Sequence, residues 1–280
     1  MNKKLFFITF FLLLGLTIYP NKENHVYAKS EEVKHTEWKI IDNNKYYLIN
    51  GEKAIFWHKI DGEWYYFDKS GRMVVGWQNI QVRHHVNYTI NQPIPEIGLK
   101  KAWYNFDKEG RLNTNGWYYL PIKTIHNKVF GEPIPEIGLP QKWFYLSDDG
   151  RPYIGWIKPK GYGYWYYLST NEKSLGEMQT GWVKSNNRWF YLYSSGDMAT
   201  GWIKPNGYWY FLDYNSGHMK TGWIKLNGYW YYLYPSGDMA TGWIKLNGYW
   251  YYLYSSGDMA TGWIKTNGYW YYLYPSGKLR

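Results

Sequence analysis

The most regular stretch of the chain alternates apolar and polar positions with a period of two. Gly242-Trp243-Ile244-Lys245-Leu246 and Tyr249-Trp250-Tyr251-Tyr252-Leu253 flank the pair Asn247-Gly248. Asn-Gly between two runs of strand-forming residues is the strongest short-range signature of a type I′ hairpin turn, which needs positive φ at both central residues. The pattern therefore predicts a β-hairpin in which Leu246 faces Tyr249, Lys245 faces Trp250, Ile244 faces Tyr251 and Trp243 faces Tyr252. Side chains alternate along a strand, so Ile244, Leu246, Tyr249, Tyr251 and Leu253 share one face. That face carries the aliphatic residues and is the expected core. Trp243, Lys245, Trp250 and Tyr252 share the other, which gathers two indoles and a phenol.

The hairpin recurs. TGWIKLNGYWYYLYPSGDMA is followed by TGWIKLNGYWYYLYSSGDMA and TGWIKTNGYWYYLYPSGKLR, with Gly-Trp at 222/223, 242/243 and 262/263, a period of twenty residues. A second Trp follows the first after seven residues in Trp182/Trp189, Trp202/Trp209, Trp223/Trp230, Trp243/Trp250, Trp263/Trp270 and Trp57/Trp64, and Asn-Gly also stands at 206/207, 227/228 and 267/268. Trp38 opens a degenerate unit with Lys45 at the second Trp position, a cap of the kind solenoids need. Trp77 reaches Trp103, and Trp117 reaches Trp143, only after twenty-six residues, so each of these units holds a nineteen-residue insertion. Both insertions contain Pro-Ile-Pro-Glu-Ile-Gly-Leu, at 93–99 and 133–139. The unit at Trp156 is stretched by Gly161 to Gly163 and by a loop from Asn171 to Gly176. Repeats this short bury their apolar faces only by stacking. The expected fold is all-β, a solenoid of tandem hairpins, with irregular repeats over 29–175 and regular ones over 176–280.

Composition narrows the function. With Trp 19, Tyr 33 and no Cys, the aromatics must serve as core and surface together, and no disulfide or thiolate metal site is available. Lys3 and Lys4, the apolar run from Leu5 to Ile18 and the small residue at Ala28 read as a signal peptide over 1–28. The run is shorter than the roughly twenty residues a membrane-spanning helix needs. Secretion follows as an expectation, and with no C-terminal sorting motif, attachment to a wall is expected to be non-covalent. The remaining chain has 29 basic and 21 acidic residues, a balance that favours anionic polymers. Nucleic acid is not the expected one, because the chain has no Arg-rich cluster or nucleic-acid motif.

No catalytic constellation emerges. His84-His85 sit in a repeat insertion and read as a solvated loop pair. Asp197, Asp238 and Asp258 follow Ser-Gly and stand twenty or more residues apart, as turn-forming acids do rather than a catalytic pair. Lys204, Lys225, Lys245 and Lys265 recur beside the second Trp, either as a solvated rim or to attract wall phosphates. No cofactor or metal is expected, and the chain reads as a non-catalytic binding protein.

Two indoles recurring on the face opposite the core exceed what cross-strand pairing asks for. Aromatic cages hold quaternary ammonium groups, which cannot donate a hydrogen bond. At this point the repeated Gly-Trp, Asn-Gly, Trp-Tyr-Tyr-Leu and Ser-Gly-Asp-Met-Ala-Thr segments resemble the choline-binding, cell-wall-binding repeats of Gram-positive surface proteins and autolysins. The resemblance is strongest from Gly181 to Arg280. It implies a left-handed solenoid that binds choline or phosphocholine of wall teichoic acids between consecutive hairpins. Each cage would take two Trp from one repeat, and a Tyr with a Met from its neighbour.

Carried onto this chain, the resemblance pairs Trp182 and Trp189 with Phe211, and Trp202 and Trp209 with Tyr232. It pairs Trp223 and Trp230 with Tyr252, and Trp243 and Trp250 with Tyr272. Met239 and Met259 stand either as apolar side walls or as gap-fillers in the seam. Trp57 and Trp64 would meet Asn105, which offers no ring. Trp263 and Trp270 of the last hairpin would be covered by a second chain in a homodimer. The competing reading is a glucan-binding or adhesin- or toxin-type repeat protein that binds surface carbohydrate. Against it, the indole face has only Lys to read sugar hydroxyls. The paired insertions suit either a protein-binding surface or a duplicated spacer.

Overall fold

The computed structural model describes residues 35–82, 101–122 and 140–280. The sequence segments at 1–28, 93–99 and 133–139, and His84-His85, lie outside them. Among the described residues the chain is all-β apart from one short 3-10 turn at Glu172–Ser174, and its strands form ten separate small sheets, each built on one antiparallel hairpin. Hairpin 1 pairs Thr36–Ile41 with Asn44–Ile49, and hairpin 2 pairs Phe56–Ile60 with Glu63–Phe67. Hairpins 3 and 4 pair Gly76–Gln81 with Lys101–Phe106 and Gly116–Pro121 with Gln141–Leu146. Their ladders run on to Gln81↔Lys101 and Pro121↔Gln141, so both insertions leave from hairpin tips.

Hairpin 5 pairs Gly155–Ile157 with Tyr166–Leu168, and hairpin 6 pairs Gly181–Ser185 with Arg188–Leu192. Hairpin 7 joins Gly201–Ile203 to Tyr210–Leu212, and hairpin 8 joins Gly222–Leu226 to Tyr229–Leu233. Hairpin 9 (Gly242–Leu246 with Tyr249–Leu253) and hairpin 10 (Gly262–Thr266 with Tyr269–Leu273) complete the array.

The register expected for hairpin 9 is the one observed, from Leu246↔Tyr249 to Trp243↔Tyr252. Asn247 has φ 48° and Gly248 φ 86°, as a type I′ turn demands, and Asn227-Gly228 and Asn267-Gly268 repeat this. Hairpin 7 differs from expectation. Pro205 precedes its Asn206-Gly207, Asn206 is not at positive φ, and the ladder stops at Ile203↔Tyr210. Proline has no N–H for a ladder bond and holds φ near −65°, so this tip takes another turn.

Consecutive hairpins are joined by side-chain packing and a single recurring backbone bond rather than by a shared ladder. The connector that follows one hairpin reaches back to the hairpin before it. Met259, after hairpin 9, donates its N–H to Trp230 O of hairpin 8 at 2.7 Å, and Leu279, after hairpin 10, donates to Trp250 O of hairpin 9 at 2.8 Å. Met178, Met198, Met219 and Met239 repeat the bond to Trp143, Trp165, Trp189 and Trp209. Gly257 allows the close stacking of connectors, because at its φ of 89° a Cβ would collide with Met239 Sδ of the preceding turn.

The core is a column of residues that close each turn. Leu192, Leu212, Leu233, Leu253 and Leu273 are fully buried, with Ala199, Ala240 and Ala260 beside them. Ile244 and Tyr251 join the core as expected of their face, but Tyr249 does not. It lies at the tip and is half exposed, beyond the reach of the neighbouring hairpin, and Lys278 Nζ sits 3.6 Å above its ring. Leu253→Ala is expected to destabilise the array by about 2–5 kcal/mol, and Tyr249→Ala by about 1 kcal/mol or less. Guanidinium unfolding followed by Trp fluorescence separates the two, and equal losses would overturn this assignment of the core.

Candidate functional site

The two faces of a hairpin do not divide into core and binding surface. The Trp face of each hairpin packs against the aliphatic face of the next, and the slot between them is where the rings converge. Trp223 and Trp230 of hairpin 8 stand perpendicular, centroids 6.4 Å apart at 88°. Strand alternation on one hairpin sets this pair, since both residues project from the same side. Trp223 is half-buried and packs against the cluster of Ala240, Ile244, Tyr251 and Leu253, as Met259 does. Trp230, nearer the tip, is 41% exposed and forms the open edge.

The third ring is Tyr251, whose centroid lies 5.2 Å from Trp223. The sequence expectation was Tyr252, which instead stacks on Trp243 of its own hairpin at 5.1 Å. The same one-residue correction applies throughout. Trp182 meets Tyr210 at 4.9 Å rather than Phe211, Trp202 meets Tyr231 at 5.3 Å rather than Tyr232, and Trp243 meets Tyr271 at 5.0 Å rather than Tyr272. The physical reason is the alternation itself. The residue reaching back to the previous hairpin must lie on the Ile face, and Phe211, Tyr232, Tyr252 and Tyr272 all lie on the Trp face, pairing with Trp202, Trp223, Trp243 and Trp263.

The correction brings earlier repeats into the same pattern. Trp57 meets Tyr104 at 4.9 Å, while Asn105 pairs with Trp77 across its own hairpin and accepts a hydrogen bond from Asn113. Trp77 meets Phe144 at 4.9 Å, Trp117 meets Tyr166 at 5.0 Å, and Trp156 meets Phe190 at 4.7 Å. None of Tyr104, Phe144, Tyr166 or Phe190 was singled out from sequence, though each stands one position after a second Trp. Met259 and Met239 reach back toward the slots of hairpins 8 and 7 through their backbone bonds to Trp230 and Trp209, and Met259 packs against the same buried cluster as Trp223.

Two lysine arrangements differ. In hairpins 6 to 10 the Lys beside the second Trp stands over that indole at 5.5–5.9 Å, as Lys245 does over Trp250 at 5.7 Å. In the first slot Lys45 replaces the indole, and its ammonium lies 4.3 Å over Trp38 while Tyr65 of hairpin 2 closes in at 5.2 Å.

The turns that hold the slot walls are polar and locally satisfied. In the connector carrying Met219, Asp213 accepts from Lys220 Nζ at 2.9 Å, from the Ser216 N–H at 2.9 Å and from Ser216 Oγ at 2.8 Å. The Lys220 ammonium foremost, with the Ser216 donors, holds this carboxyl well below the usual carboxylate range. Among the described residues no group of three or more His, Cys, Asp or Glu is placed to hold a metal.

The fold and the slots define a class of hairpin-solenoid proteins with aromatic clusters between repeats. Residues 57–90, 179–221, 220–261 and 240–279 match the choline-binding repeat model, and residues 36–51 match a putative cell wall binding repeat. Choline binding protein F of Streptococcus pneumoniae is 40% identical over 88% of this chain and 93% of that one, with a TM-score of 0.40. CbpJ of the same organism is 38% identical over 88% and 94%, also at 0.40. The choline-binding domain of pneumococcal CbpL, 27% identical over 81% and 97%, superposes at 0.51. No curated protein matches the chain significantly. The chain belongs to the choline-binding repeat family, and its aromatic slots are the repeats' clusters.

A pH prediction follows from the Asp213 turn. A carboxyl whose pKa is depressed on folding contributes stability above its unfolded value of about 3.9, and loses it as pH falls further toward the folded value. The difference in melting temperature between wild type and Asp213→Asn is therefore expected to be constant above about pH 5 and to shrink as the pH is lowered through 4 toward 2. A difference that grows on acidification would overturn the pairing.

Proposed function

We propose that the chain is a secreted, non-catalytic protein that attaches non-covalently to a bacterial cell wall by holding the choline groups of teichoic acids in its inter-hairpin slots. Lys45 is the observation that carries this reading. Where the second indole is missing, the chain supplies its own ammonium to the remaining ring, 4.3 Å from the Trp38 centroid. The other slots present ring faces and a methionine, and a cation needs no hydrogen-bond acceptor to sit among them. Family membership and the basic balance of the chain support the same reading.

Within it, the caging residues are the two Trp of each hairpin with Tyr210, Tyr231, Tyr251 and Tyr271 as third rings, and Met239 and Met259 as side walls. Single slots bind weakly and the array gains by multivalency on a polymer bearing many cholines. Trp263 and Trp270 are 64% and 62% exposed, and a second copy covering them gives a homodimer.

Choline titrated into the chain should change Trp fluorescence and raise the melting temperature by linkage, whereas dextran should do neither. A response to dextran alone would favour glucan binding. Tyr251→Leu, which keeps apolar volume and loses the ring, is expected to weaken one slot by about 2- to 30-fold, the equivalent of one ring–cation contact. Titration calorimetry should find a smaller effect for Tyr252→Leu. Sedimentation at rising concentration with choline should show the dimer, and Trp263→Ala should abolish it.

A further inference from the structure

The slot between hairpins 4 and 5 is built differently from the rest, and the difference comes from the stretched loop of hairpin 5. Gly161 and Gly163 have φ of 89° and 73°, backbone that side chains rarely adopt, and between them they present Tyr162. Its ring lies 6.5 Å from Trp117 and 6.4 Å from Tyr166, so it stands as a fourth ring beside Trp117, Trp143 and Tyr166. Together with Met178, Ser194 and Ser195 they line a largely apolar recess of about 250 Å³, open on one side and roomy enough for a trimethylammonium group.

A second difference concerns charge. In the regular slots a Lys ammonium stands 5.5–5.8 Å over the second indole, drawing on the same ring and repelling an incoming cation. In hairpin 4 that position is Tyr119, whose ring stacks on Trp143 at 5.2 Å. The slot thus gains a ring and loses the competing charge. Resting on the choline-binding reading, we propose that Tyr162 makes the slot of Trp117, Trp143 and Tyr166 the tightest quaternary-ammonium site of the array, filled before the regular slots.

Equilibrium dialysis of the full chain with radiolabelled choline tests this. The wild type should show a first class of one equivalent per chain, tighter than the rest. Tyr162→Ala should weaken that class by about 2- to 30-fold, as expected for one ring–cation contact, until it merges with the others. Tyr162→Phe should retain it, and circular dichroism should be unchanged in both because Tyr162 is exposed. A wild type with a single uniform class, or an unchanged first class in Tyr162→Ala, overturns the assignment to Tyr162 and leaves choline binding intact. A wild type that takes up no choline overturns the wall-binding reading as well.

Discussion

A two-stranded hairpin has no interior, and this constraint shapes the whole chain. Isolated hairpins are at best marginally stable, and no ladder links one to the next among the described residues. What joins them is a tryptophan laid edge-to-face on the following hairpin's ring, as Trp223 lies on Tyr251 at 60°. Such pairs contribute about 0.5–1.5 kcal/mol beyond the area they bury. The connector's backbone bond to the second Trp carbonyl, Met259 to Trp230, fixes the spacing at which that contact is made. The rings that hold the fold together are therefore also the rings that line the slots. A ligand seated there bridges two neighbours, and its affinity is expressed as stability of the array.

Lysine placement then differs from slot to slot. Every slot draws on the same aromatic plan, but the charge beside it changes at two positions: Lys45 stands in place of the second indole in the first slot, whereas opposite the second indole Lys245 stands over Trp250 and Tyr119 stacks on Trp143. Variation at the position opposite the second indole costs the fold little, because the residue there is exposed both as Lys245 and as Tyr119.

The architecture was readable because its instructions are local. Asn247-Gly248 dictates the turn, the turn dictates the register, and the register places Trp243 and Trp250 on one side without reference to any other part of the chain. The third ring was not local. Tyr251 and Tyr252 are adjacent and chemically identical, and only the stacking of one hairpin's Trp face on the next hairpin's Ile face selects Tyr251. Tyr249 shows the same limit, since its face is that of the core but the neighbouring hairpin does not extend over the tip. Tyr162 was hidden because the Gly161–Gly163 stretch reads as a spacer until the fold brings it over Trp117.

The hairpin tip is also where this fold tolerates change. In hairpins 3 and 4 the ladders close at Gln81↔Lys101 and Pro121↔Gln141, where the carbonyls of Gln81 and Pro121 accept from the indoles of Trp57 and Trp77 in the preceding hairpins, and Trp77 and Trp103 still stand 6.5 Å apart as in the regular units. Nineteen residues are thus added beyond the last rung while the unit keeps its ring contacts with its neighbours, Trp57 on Tyr104, Trp77 on Phe144 and Trp117 on Tyr166. Such a chain separates two kinds of inheritance: duplication of a whole unit lengthens the row of slots, whereas growth at a tip changes only what the row displays.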